Sequence, residues 1–201
     1  MESLAALDIY RKGLENFVIF NEAEWIVFSQ HLKLTTLKKK HYFAEPGKVC
    51  DKMGFIIKGA VRYYHVKDGQ EITGYFSFEN EFTTSLKSYI THQPATNYVQ
   101  ALDDSLIVTF TNKDMEQMLA NPMLAHKMER FGRLVGEHYL CCYEDRMVSF
   151  ITQTPEERYL ELLNTGREIL QRMPQHYIAN FLGITPVSLS RIRRRVMETA
   201  R

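Results

Sequence analysis

The chain has 201 residues, 45% hydrophobic and 24% charged, with a formal net charge of +1. That composition is ordinary for a globular protein and leaves room for one large domain or two small ones. It lacks any run of about 18 apolar residues, so no membrane span is expected. Its three cysteines, Cys50, Cys141 and Cys142, make a poor disulfide framework, and reduced thiols in a cytoplasm are expected instead. Charge is unevenly spread: residues 1–120 hold 13 basic and 15 acidic side chains, and residues 121–201 hold 12 and 9.

The opening stretch, MESLAALDIYRKGLENFVIF, is amphipathic and carries acidic residues, unlike a signal peptide. Residues 1–32 read as helix, with Asn21 and Glu24 spaced as a capping box ahead of Trp25, Ile26, Phe28 and Leu32. From about Leu34 to Thr111 short apolar-aromatic runs are broken at Pro46-Gly47, Lys58-Gly59 and Asp68-Gly69. Asp-Gly between alternating runs signals a hairpin. NYVQALDDSLIVTFT adds two strands around Asp103-Asp104, and strands so spaced predict an antiparallel barrel or jelly roll.

Helical periodicity returns at Asn112. A short helix ends before Pro122, and a long one runs roughly from Met123 to Ile151. On it Leu124, Met128, Phe131, Val135, His138 and Cys142 step by fours and threes, the a/d spacing that predicts a parallel dimer seam. The next helix starts with Thr154 as N-cap, Pro155 at its first position and Glu157 closing a capping box. The charges in EDRMVSF and TPEERYLELL read as solvated helix faces.

IANFLGITPVSLSRIRRRV, residues 178–196, reads as two helices with a tight turn. Gly183 suits the turn, Thr185 caps the second helix and Pro186 fits its first position. Ile178, Ala179 and Leu182 would face Ile184, Leu189, Ile192 and Val196. That is the pattern of a helix-turn-helix whose second helix enters the DNA major groove. Thr185, Pro186, Val187, Ser188, Ser190, Arg191, Arg194 and Arg195 are the expected DNA-binding residues. Arg191 lies where base edges would be read, whereas Arg193, Arg194 and Arg195 are better placed for phosphates.

With MGFIIKGAVRYYHVKDGQE in the strand region and IANFLGITPVSLSRIRRRV at the end, the chain resembles the Crp/Fnr family of bacterial transcription regulators. The resemblance covers nearly all residues. It implies an α+β chain: a cyclic-nucleotide-binding-like sensor domain over 1–120, a dimerisation helix over 121–151 and a winged helix-turn-helix domain over 152–201. Any wing would come mostly from residues before the motif. The partners implied are double-stranded DNA at an inverted repeat, a second copy of the chain, RNA polymerase and a small-molecule effector, in the cytoplasm, with no membrane.

Members that bind cyclic AMP have a Gly-Glu-Leu segment and, after a loop, Arg-Ser/Thr-Ala, whose arginine pairs with the cyclic phosphate. Here these fall on Asn80-Glu81-Phe82 and Ala95-Thr96-Asn97. Without the arginine a buried phosphate loses a charge-assisted contact worth about 1.5–3 kcal/mol, so the effector is expected not to be cyclic AMP. The family's usual Arg-Glu at the start of the recognition helix is Pro186-Val187 here, so base preference does not carry over.

No cysteine precedes Cys50, which disfavours the iron-sulfur members. The histidines, among them His31, His41, His65, His92 and His138, lack metal-ligand spacing, and no nucleophile motif or phosphate-cradling glycine loop occurs. Neither an enzyme, a metal nor a cofactor is therefore expected, and Cys141-Cys142 read as packing. The competing readings are a cyclic-nucleotide-responsive regulator and a ligand-binding signalling module that does not touch DNA.

Overall fold

The computed structural model describes residues 2–199. The single helix expected at the start is two, α1 (Glu2–Leu14) and α2 (Glu22–Ser29). The amides of Phe17 and Val18 both donate to the Leu14 carbonyl at 2.8 Å, closing α1. Asn21 then opens α2 with a reciprocal cap, its amide on Glu24 Oε2 at 2.7 Å and the Glu24 amide on Asn21 Oδ1 at 2.9 Å. The capping box thus marks a new helix inside the apolar periodicity.

Next come β1 (Lys33–Leu37), β2 (Tyr42–Ala44), β3 (Lys52–Lys58), β4 (Val61–Lys67), β5 (Gln70–Ser77) and β6 (Phe82–Thr83). A short helix α3 (Leu86–Thr91) precedes β7 (Tyr98–Ala101) and β8 (Ser105–Thr111). The strands form two antiparallel sheets, ordered β1-β8-β3-β6 and β2-β7-β4-β5, the double-sheet alternative of the expectation. Asp68 at φ 52° and Gly69 at φ 75° turn the β4-β5 hairpin. Both central residues have positive φ, which matches the twist of the flanking strands.

The remaining helices are α4 (Asn112–Ala120), α5 (Ala125–Thr152), α6 (Pro155–Thr165), α7 (Arg167–Arg172), α8 (Gln175–Phe181) and α9 (Pro186–Thr199). Among the described residues no strand follows Thr111, so the expected wing is not formed there. The segment before the motif is instead α7, whose Arg-Glu-Ile-Leu-Gln-Arg sequence favours helix and whose Arg172 and Glu168 pair one turn apart at 3.7 Å.

The chain divides into two compact units, residues 1–63 with 76–138, and residues 64–75 with 139–201. In the first, Phe43, Cys50, Ile56, Val61, Val99 and Ile107 pack together between the strands. A second, aromatic cluster receives α5. Phe131 lies edge-on to Phe82 at 5.4 Å, Phe17 at 6.1 Å and Phe110 at 6.3 Å. Lys127 ties the same helix to the Ile19 carbonyl at 2.7 Å and to the Glu24 carboxylate.

Four of the six residues expected on a dimer seam are taken up here. Leu124, Met128, Phe131 and Val135 are each at most 3% exposed within the one chain, so that stripe is spent on its own unit. A heptad spacing states that a face is buried and leaves open what buries it. Phe131→Ala should therefore lower the stability of the first unit by about 3–5 kcal/mol, the usual cost of emptying a buried phenyl site, read from the urea midpoint. A loss of self-association with the midpoint unchanged would instead put Phe131 at a subunit contact.

Candidate nucleic-acid interface and effector pocket

In the second unit α8 stops by a backbone device. Gly183 has φ 72°, and its amide donates to the Asn180 carbonyl at 3.0 Å while the Ile184 amide donates to the Ala179 carbonyl at 2.9 Å. These are the paired bonds of a Schellman end, which wants a residue free to take positive φ. A side chain there would also strike Phe150, whose ring comes within 2.9 Å of a Cβ placed on Gly183. Thr185 then caps α9 by accepting from the Ser188 amide at 3.1 Å, with the two hydroxyls 2.9 Å apart. Pro186 opens the helix, where a missing N–H costs nothing.

Leu189 and Ile192 are buried on one side of α9. Thr185, Pro186, Val187, Ser190, Arg191 and Arg194 are exposed, and Ser188 is half-buried. Val187, Ser190, Arg191 and Arg194, at i, i+3, i+4 and i+7, form one continuous outward face. Arg195 is paired with Glu156 in the first turn of α6 at 2.5 Å. Both partners are well exposed, so the pair is worth little and can open. Arg193 is half-buried.

Three residues of this unit carry roles that sequence reasoning missed. Asn180 on α8 donates from Nδ2 to the Glu71 carbonyl at 2.6 Å and accepts from the Thr73 amide, gripping the backbone of the hairpin tip. Arg146 and Arg158 were expected on solvated helix faces. Arg158 is buried at 8% exposure and donates from Nε and Nη2 to the Leu182 carbonyl at 3.2 and 3.0 Å. Arg146 donates to the Phe181 carbonyl. The Schellman end leaves these carbonyls without helical amides, and cations at the negative end of a helix are favourable. Burial first, then the charge of Arg158, hold Arg146 down to about 10. Only the apolar spacing around each arginine could have hinted at burial.

In the first unit the expected effector residues lie at the entry to β6 and on the segment that leads into β7. Asn80 adopts φ 67°, the left-handed conformation natural to glycine, and its amide donates to the Ile56 carbonyl at 2.9 Å. The Glu81 carboxylate accepts from the Phe78 amide at 3.3 Å. The Phe82 ring turns into the aromatic cluster, 5.1 Å from Phe55. Ala95 is buried, exchanging backbone bonds with Gly47 and Lys48, while Thr96 is exposed. Asn97 accepts from the Ser85 hydroxyl at 2.6 Å. Half-buried Tyr63 donates to the Thr83 hydroxyl at 2.8 Å and sits 3.3 Å from that of Ser77. Among the described residues no group of three or more His, Cys, Asp or Glu side chains is arranged to hold a metal, and no helix is long and apolar enough to cross a membrane.

Residues 34–121 match the cyclic nucleotide-binding domain. Among solved structures, FixK2 from Bradyrhizobium japonicum is similar with a TM-score of 0.67 at 18% identity, over 84% of this chain and 86% of that one. The c-di-GMP responsive global regulator CLP of Xanthomonas campestris gives 0.67 at 12% identity, over 86% and 90%. A CooA mutant from Carboxydothermus hydrogenoformans gives 0.63 at 14% identity, over 89% and 82%. No curated protein matches the sequence. At such identities the likeness is one of fold.

Proposed function

We propose that this chain, which shares the fold of Crp/Fnr-family regulators, is a sequence-specific, DNA-binding transcription regulator that works as a homodimer. The observation that carries the reading is the exposed Val187-Ser190-Arg191-Arg194 face of α9, fixed from behind by buried Leu189 and Ile192. α8 and α9 act as a helix-turn-helix, with α9 in the major groove. Arg191 reads a base, because a guanidinium fork fits guanine O6 and N7, and Val187 suits a thymine methyl. Arg194, further along, holds a phosphate. Residues 152–201 form the DNA-binding domain in this reading, residues 1–120 the sensor and residues 121–151 the helix that pairs subunits. RNA polymerase is the partner through which such a regulator acts.

The subunit contact uses the side of α5 that stays open. Leu140, Tyr143, Met147 and Ile151 are 69%, 58%, 57% and 74% exposed, at steps of three, four and four. An exposed apolar stripe of this kind wants a partner, and a second copy offers the same stripe. His138 and Cys142 border it as exposed and half-buried residues.

A cyclic-nucleotide-responsive regulator is the second reading, favoured by the domain match over residues 34–121. Against it stands the buried Ala95 where a phosphate-binding arginine would be needed. Calorimetry with cyclic AMP should give no heat of binding at micromolar concentrations; micromolar affinity coupled to tighter DNA binding would make this second reading the right one.

Two further outcomes test the regulator itself. Arg191→Ala should cost about 1–3 kcal/mol at the preferred site and relax its specificity, whereas Arg194→Ala should weaken all sequences alike and lower the salt slope by about 0.9. Anisotropy titrations at several salt concentrations separate the two, and parent-like binding by both variants would contradict the assignment. Leu140→Glu should yield a folded monomer in light scattering that keeps only non-specific DNA affinity. A dimer that persists in this variant would move the contact elsewhere.

A further inference from the structure

Arg146 of α5 and Arg158 of α6 converge on the same few groups. Their guanidinium carbons stand 4.4 and 4.6 Å from the centre of the Phe150 ring, and Arg146 also covers Phe181 at 3.7 Å. Each guanidinium nitrogen of Arg158 makes a structural bond, with Nη1 on the Gln153 carbonyl at 2.6 Å besides the bonds of Nε and Nη2 to Leu182. Arg146 differs. It makes one bond, to the Phe181 carbonyl, and its Nε and Nη1 make none to the described residues. Neither arginine is ion-paired among the described residues. Two like charges held side by side in a partly dry place are unfavourable unless something negative completes the set. The helix end and the rings supply part of it, and one cation would suffice for that task.

Both arginines border a cleft of about 280 Å³. Leu162 and Ile169 give it an apolar wall, and Ser149 and Thr165 add hydroxyls. Asp145 and Glu161 also border it without pairing with either guanidinium, and Glu161 is bonded to the Gln153 amide at 2.8 Å. Those two carboxylates disfavour a doubly charged guest. The volume, below the range of about 300–1,000 Å³ typical for drug-sized ligands, asks for a small one.

We propose that this cleft is a binding site for a small monocarboxylate with an apolar body, its carboxylate on the unbonded N–H groups of the Arg146 guanidinium and its body along Leu162 and Ile169. An Arg fork suits a planar carboxylate better than a point charge would. The occupant would sit beside the carbonyls that end α8, next to the turn that sets α9. The site is separate from the outward face of α9, so its binding is measurable whether or not the chain binds DNA.

The experiment uses the full chain with benzoate and isovalerate as probes and their neutral amides as controls, followed by calorimetry and by methyl NMR of Leu162 and Ile169. The acids should bind saturably, one per chain, at least ten-fold more tightly than the amides, and shift both methyl sets. Arg146→Gln should weaken the acids at least ten-fold and leave the amides unchanged. Arg146→Lys, which keeps the charge and loses the fork, should fall between and serves if the glutamine variant does not fold. Acids no tighter than amides, or methyl signals unmoved at saturation, would overturn the proposal and leave the arginines as caps of α8.

Discussion

The seating of Phe131 among Phe17, Phe82 and Phe110 is the contact on which the rest turns. It belongs to a stripe, Leu124 to Val135, buried almost completely in the first unit. Burying four large apolar side chains at roughly 1.5–3 kcal/mol each far exceeds what propensity contributes to a helix. The rotation of α5 about its own axis is thereby fixed. Further along the same helix, Leu140, Tyr143, Met147 and Ile151 are exposed.

The second unit is arranged by hydrogen bonding more than by apolar area. The Schellman bonds at Gly183, the Thr185 cap and the two guanidiniums on the Phe181 and Leu182 carbonyls all close backbone groups around one turn. Such an end is stiff because unmade bonds there would be costly. A stiff turn fixes the angle at which α9 leaves α8, with Leu189 and Ile192 inward and the arginine face outward. The same economy explains why Arg195 can be parked on Glu156: an exposed pair holds the side chain in place without committing it.

Much of this was legible in the sequence wherever a local rule applies. The boxes at Asn21-Glu24 and Thr154-Glu157, the Asp68-Gly69 turn and the glycine at 183 each act within a few residues of themselves, and each appears where expected. What was not legible depends on partners distant in the chain. The α5 stripe has the same spacing whether it meets a copy or its own aromatic cluster. Arg146 and Arg158 look like surface charges until the end of α8 is placed against them. The Asn180 grip on the hairpin joins positions more than 100 apart, which no periodicity reports. Of the expected effector residues, Phe82 and Ala95 are taken up by the core, which their sequence context does not announce.

If the chain acts as proposed, its basic, outward helix face and open apolar stripe call for DNA of two-fold symmetry, because two copies related by that stripe would present two such faces. Mapping the genomic DNA bound by the protein tests this most directly. The expected result is a set of enriched sites sharing an inverted repeat, with half-site centres about one helical turn, or ~34 Å, apart. Bound DNA with no shared sequence, or a shared sequence without two-fold symmetry, would contradict it.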